Sequence, residues 1–418
     1  VAPGGRRLGS FLTGLLDVLT VLDATPAPRG NERDAAEALR SWCADRWPRV
    51  DWQVQRYGPG GANLIGRHRP SGRVDVGQYD GVLLYSHLDT SLDGGPGDSV
   101  VTGRSDPVGS LLIDDDKSFL VSGFGLGVAR APAAAALLGF AELADPAAGS
   151  TLLLAGSGTH RLGDAPTGVT AYLEAFPRPS AAVIAKAGPA GVLWSEPGAA
   201  YLQVRLSGRQ GAVLARDRAL PSGGVIVHAG AVIAELESWR REYLAGREDS
   251  TGQIGPEIGI GAIRAGRWDK PDLLPATLEL GLYLVTMPGE DVPALARALE
   301  ARLVSALTHA PEGAPPAAAA PAGCVIEVAA QVVHPAASTR PDAPIVRRAL
   351  AAWTETFGPP VEIRNWSGST DGVVLRGRGI DTVRLGPQLA ASELDARRDQ
   401  VALTVLNQWP AIYATLLT

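Results

Sequence analysis

Apolar positions along the chain change period several times, and each change marks an element. Leu12, Leu15, Leu16 and Leu19 recur at helical spacing and predict a helix over Phe11 to Val21. The loop Thr25-Pro-Ala-Pro-Arg-Gly30 follows. Asn31 is expected to cap a second helix that carries Ala35, Ala38, Leu39 and Trp42 on one face. Val82 to Ser86 is a short, unbroken apolar run, as are Thr151 to Ala155 and Ala181 to Ala185, and such runs predict strands buried on both faces. Asp114-Asp-Asp-Lys117 lies between two apolar runs and reads as a hairpin turn. Ala131 to Leu143 predicts an alanine-rich helix able to approach a sheet closely. Strands alternating with helices predict an α/β layered domain.

Beyond Pro197 the pattern changes. Strands are predicted at Ala200 to Leu206, Glu257 to Ile263, Ala276 to Val285 and Val325 to Val333, with helices at Gly224 to Leu244 and Val292 to Leu307. The order βαββαβ is ferredoxin-like. The Pro/Ala-rich stretch Pro311 to Pro321 reads as a surface loop. Then helix, strand and helix resume at Ala343 to Phe357, Thr382 to Leu385 and Asp399 to Leu417. The expected organisation is a main α/β domain built from 1–197 and 336–418, interrupted by a smaller domain over 198–335.

Charge and composition narrow the function. A formal net charge of -6 argues against nucleic-acid partners or an anionic membrane surface. The longest apolar runs, Ala133 to Phe140 and Thr151 to Ala155, are too short to span a bilayer. Val1 to Ser10 holds two arginines, and the apolar run after it is broken by Gly14 and Asp17, unlike a secretory leader. With only Cys43 and Cys324, no disulfide framework is expected, and a reducing, cytoplasmic setting is the default.

The sharpest motif is Leu83-Leu-Tyr-Ser-His-Leu-Asp-Thr90. It sets His87 at the carboxyl end of a buried strand, where ligands bind in open α/β sheets. Asp89 follows in position to hold the imidazole tautomer. The motif resembles the zinc-binding His-x-Asp of the aminoacylases, dipeptidases and succinyl-diaminopimelate desuccinylases, metallopeptidase family twenty. The resemblance extends in order along nearly the whole chain: the loop Thr25 to Glu32, the strand at Asn63-Leu-Ile, Met287-Pro-Gly-Glu290, Trp366-Ser-Gly-Ser-Thr-Asp371, and Gly379-Ile-Asp-Thr-Val with Gly386-Pro387. It implies an α/β/α main domain with an inserted ferredoxin-like lid, through which family members form homodimers.

The same resemblance implies that the metal centre is dismantled. The family's metal-bridging Asp falls on Gly127 or Val128 of Gly123-Phe-Gly-Leu-Gly-Val-Ala-Arg130. Its Glu-Glu pair falls near Thr159, His160 or Arg161, its next carboxylate near Lys186 to Gly188, and its final His on Asp395. The lid His falls near Ala212 and the substrate-clamping Arg near Val285. Two close zinc ions need a bridging carboxylate to offset their repulsion. The expectation is therefore no metal and no other cofactor, with His87, Asp89, His160, Lys186 and Asp395 doing acid-base chemistry on a small amide- or amino-acid-like molecule. Ser367, Ser369 and Asp371 are expected to line the substrate pocket. Cyclisation, condensation or isomerisation would suit, since none needs a zinc-activated water. Two other readings stay open: a non-catalytic binding or assembly subunit, and an amidohydrolase with one metal on His87, His160 and Asp395.

Plainer roles stand beside these. His87 and Asp89 suit a pair that only satisfies each other, Lys186 a solvated strand-end lysine, and Asp371 the cap of a helix starting near Val373. If Lys186 is half-buried, its pKa is expected to fall, which would make it a base or an amine nucleophile. Ser157 and His160 suggest a weak Ser-His pair, and Gly123-x-Gly-x-Gly is too short for a dinucleotide fingerprint.

Overall fold

A computed structural model describes residues 7–68, 81–90, 112–114, 120–123, 125–144, 149–159, 163–214, 224–245, 247, 252–308, 324–388 and 399–418. The chain divides into two compact units. The first comprises Val1–Ser195, Ser338–Ile363 and Thr370–Thr418, and the second comprises Glu196–Ala337 and Arg364–Ser369.

The first unit is built on a six-stranded sheet. Its strands are β1 (Val50–Tyr57), β2 (Gly61–His68), β3 (Val82–His87), β4 (Thr151–Ala155), β5 (Ala181–Ala185) and the late strand Asp381–Leu385. The spatial order is β1-β2-β4-β3-β5 and then Asp381–Leu385. β3 pairs in parallel with both β4 and β5, and β5 in parallel with the late strand, while β1 and β2 join antiparallel. Every residue of β3, β4 and β5 is buried, as unbroken apolar runs require.

Helices α1 (Arg7–Ala24), α2 (Arg33–Arg46) and α3 (Ala131–Ala141) contribute to the largest apolar core, together with Pro344–Phe357 and Trp409–Leu416. On the other side of the sheet, α4 (Thr167–Ala175) and the short helix Gly372–Gly377 pack in a smaller core with Leu83, Tyr85, Leu153 and Ile184. The unit is thus an α/β/α sandwich. α3 is buried at every residue, and its alanines let it lie close to its neighbours. A Cβ on Gly139 would sit 2.4 Å from the Pro410 carbonyl oxygen, so only glycine fits that crossing.

The second unit is a four-stranded antiparallel sheet of Gly198–Ser207, Glu257–Ala265, Thr277–Thr286 and Val325–His334. The first of these pairs with both the third and the fourth, and the third pairs with the second, which is ferredoxin-like topology. Helices Ala229–Ala245 and Val292–Thr308 bury Val232, Leu236, Leu299 and Leu303 in its core. No helix among the described residues is long and apolar enough to cross a membrane.

Several local expectations need correction. Asn31 does not cap α2. Glu32 occupies the cap position, and its carboxylate turns away to other partners. The predicted helix over Asp399 to Leu417 is broken. Asp399–Ala402 is a strand paired with Leu120–Gly123, and helix resumes at Leu403–Leu406 and Trp409–Leu416. The break follows from Pro410, which has no N–H to donate and fits only a first helical turn. Of the predicted turn Asp114 to Lys117, residues 115–117 lie outside the described residues; the flanking strands Leu112–Asp114 and Leu120–Gly123 pair antiparallel.

Candidate active site

The candidate site forms at the carboxyl ends of β3, β4 and β5. Side chains alternate along a strand, so Tyr85 and His87 leave β3 on the same face. The Tyr85 hydroxyl donates to Asp371 Oδ2 at 2.8 Å. It also lies 3.4 Å from His87 Nδ1, and Asp89 Oδ1 stands at the same distance from that nitrogen. On the opposite edge of the ring, Lys186 Nζ lies 3.2 Å from His87 Nε2. Lys186 directly follows β5 and is half-buried, whereas His87, Asp89 and Asp371 are buried.

Loop geometry sets these positions. The chain leaving β4 turns through Gly156-Ser-Gly158, where Ser157 takes a φ of 50°, a conformation that favours glycine. Glu32 holds it there: its Oε1 accepts from the Ser157 N–H at 2.7 Å, the Ser157 hydroxyl at 3.0 Å and the Gly30 N–H at 2.7 Å. A Cβ on Gly156 would sit 2.5 Å from the Ala62 carbonyl oxygen and 2.8 Å from Glu32, so glycine is required there. Gly158 N–H then donates to Asp89 Oδ2 at 2.9 Å, and the Gly158 carbonyl accepts from Arg29 at 2.8 Å. Behind Lys186, the Arg384 guanidinium donates to the Ala187 carbonyl.

The electrostatics follow from burial. Burial, reinforced by the Lys186 charge, pulls the His87 pKa below the ordinary imidazole value, and Asp89 and Asp371 only partly oppose this. The ring is therefore neutral near pH 7. Its Nδ1 side faces Asp89, which suits the proton on Nδ1, leaving the Nε2 lone pair to accept from Lys186. Burial raises the Tyr85 phenol, and Asp371 adds to the effect, so Tyr85 stays a proton donor. Burial raises the Glu32 carboxyl against the bonds it accepts, and nearby Asp89 adds to the rise.

The structure thus brings His87, Asp89, Lys186 and Asp371 together. Asp371 precedes the helix Gly372–Gly377, as expected for a cap, yet makes no capping bond; its carboxylate is committed to Tyr85. Ser367 and Ser369 belong to the second unit, where the Ser369 hydroxyl lies 3.1 Å from His334 Nε2. His160 and Asp395 lie outside the described residues. Gly127 lies in a single π-helical turn, Leu126–Arg130, anchored by a buried 2.6 Å ion pair between Arg130 and Asp23. Ala212 pairs with Leu273 in a short ladder, and Val285 lies in Thr277–Thr286, so neither brings a polar side chain. Sequence reasoning assigned no role to Tyr85 or Glu32. The first was findable as the residue two before His87 on the same strand. The second depends on a contact 125 positions away, which no local pattern reveals. Among the described residues, no three His, Cys, Asp or Glu side chains group so as to hold a metal ion.

Comparison with known proteins places this fold. No protein-family description and no curated protein matches the sequence. Solved structures do match it along almost their whole length. A tripeptidase from Staphylococcus aureus superposes with a TM-score of 0.65 at 14% identity, covering 97% of each chain. Human carnosine dipeptidase 1 gives 0.65 at 11%, covering 99% of this chain and 97% of its own. A dinuclear metal binding peptidase of the M20 family from Bacillus subtilis gives 0.59 at 14%, covering 97% and 98%. The chain has the fold of the M20 family metallopeptidases.

Proposed function

We propose that this protein is an enzyme that keeps the metallopeptidase scaffold and works without a metal, moving protons on a small amide- or amino-acid-like substrate. The observation that carries the reading is Lys186 Nζ at 3.2 Å from His87 Nε2. The resemblance assigns that imidazole to zinc, but here an amine occupies the side a cation would need. A cation ~4 Å from an ammonium is repelled by roughly 4 kcal/mol at an effective dielectric of ~20, about a thousandfold in affinity. The described donors offer no compensating carboxylate bridge and do not fit a dinuclear centre.

The remaining groups suit acid-base work. Lys186 as ammonium gives a proton to a substrate oxygen or nitrogen. Neutral His87 accepts one at Nε2, while Asp89, fixed by the Gly158 N–H, steadies the imidazolium from the Nδ1 side. The Asp371 carboxylate, held by Tyr85, offers a counter-charge to a substrate ammonium. Cyclisation, condensation and isomerisation are the matching reactions. The test is to incubate the protein with dipeptides, N-acyl amino acids and amino-acid amides, with and without a chelator, and to follow products by mass spectrometry. The reading expects turnover that survives chelation and falls at least about a hundredfold in Lys186→Ala and His87→Ala. Turnover abolished by chelation and restored by zinc would return the protein to amide hydrolysis. Tight binding of a panel member with no turnover would make it a binding protein.

A further inference from the structure

The second unit holds a serine-histidine pair that the reading above does not use. Ser369 Oγ lies 3.1 Å from His334 Nε2, and His334 Nδ1 lies 3.3 Å from the Pro335 carbonyl oxygen. With its proton on Nδ1, the ring donates to Pro335 and turns the Nε2 lone pair to the serine hydroxyl. The Tyr283 phenol also hydrogen-bonds Ser369, and burial raises its pKa, so it stays protonated. This is the arrangement of an activated nucleophile: hydroxyl, base and a group orienting the base.

The backbone carrying Ser369 is pinned. Trp366 N–H donates to the Gln253 carbonyl at 2.9 Å, and Gly255 N–H donates to the Trp366 carbonyl at 3.1 Å. Asn365, next to Trp366, takes a left-handed φ of 54°. His334 itself forms part of the wall of a pocket of ≈ 240 Å³. Met287, Val292, Pro293 and Val332 give that pocket its apolar lining, and Thr286, Glu290 and Asp291 its polar lining.

We infer that Ser369 and His334 form a second catalytic site, in the ferredoxin-like unit, that cleaves esters or thioesters with a short apolar acyl group. Ser369 Oγ adds to the acyl carbon, and its proton passes to His334 Nε2. The bond to the leaving oxygen or sulfur breaks, and that atom takes the proton from Nε2. A water molecule, deprotonated by Nε2, then attacks the acyl-serine, which releases the carboxylic acid and restores the hydroxyl. The sum is ester or thioester plus water giving acid plus alcohol or thiol, the Nε2 proton returning to Ser369 Oγ as the acid leaves. The backbone carbonyl behind His334 stabilises the imidazolium less than a carboxylate does, which restricts the site to activated acyl groups rather than amides.

The site is tested on the full chain with a fluorophosphonate probe, which needs no known substrate, and with p-nitrophenyl acetate. One adduct per chain is expected, located on Ser369 by tandem mass spectrometry and absent in Ser369→Ala. His334→Gln keeps the nucleophile and removes the base, so its labelling rate should fall at least about tenfold, with ester hydrolysis falling in parallel. No adduct on the wild-type chain, an adduct on another serine, or unchanged labelling in His334→Gln would each overturn the assignment.

Discussion

The two units differ in how many ionisable side chains they bury. In the second unit, charges sit mostly in half-buried or exposed pairs on helix and sheet faces, Arg302 with Glu235 and Glu242 and Arg264 with Glu279, while Glu196 and His228 are buried. In the first, Glu32, Asp89, His87, Asp371, Asp23 and Arg130 are all buried. Burying such groups costs several kcal/mol each before partners compensate, whereas exposed pairs cost and contribute little. The lesson is that the first unit carries an expensive polar interior at the strand ends. There every group but Lys186 is immobilised by burial or by backbone N–H groups.

This contrast is breakable in order of expected effect. Arg130→Ala leaves the buried Asp23 carboxylate without its ion-pair partner, so urea denaturation should show a loss of about 3–5 kcal/mol. Glu32→Ala removes the shared acceptor of two N–H groups and a hydroxyl, for a loss of about 2–4 kcal/mol in the same assay and a loosened Ser157 turn. Glu32→Gln sharpens the point through pH. The folded Glu32 pKa is raised above 4.5, so its contribution is fully present below pH 4.5 and is lost as pH rises through the folded value. Unfolding at pH 4 and pH 8 should therefore show the wild type losing more stability than the glutamine variant over that rise. Lys186→Met removes a charge that lowers the His87 pKa, so the imidazole pKa read by NMR titration should move up. Smallest of all, a double-mutant cycle on Arg264 and Glu279 should give under about 1 kcal/mol.

Legibility in the sequence tracked the range of the interactions. β3, β4 and β5 were readable because a strand buried on both faces must be apolar throughout, and the ferredoxin-like order was readable from period alone. His87 and Asp89 announced themselves by spacing. The pairing of Lys186 with His87 spans 99 positions, and position in a family pattern, rather than local chemistry, pointed to it. Glu32 was hidden because a glutamate before a helix reads as a capping or first-turn residue. Its actual partner lies across the sheet on a turn whose shape the sequence does not display. The break before Trp409 was legible in Pro410, yet the apolar run around it resembles one continuous helix.

The central claim is that the amine of Lys186 stands where the fold's metal chemistry would require a cation. Zinc titration of the chelator-treated wild type and of Lys186→Asp, followed by calorimetry and elemental analysis, tests it directly. The account predicts no stoichiometric zinc on the wild type at micromolar concentrations, and a measurable gain when a carboxylate replaces the lysine. Wild-type protein that takes up zinc stoichiometrically, with the His87 ring nitrogen shifting on binding, would contradict it.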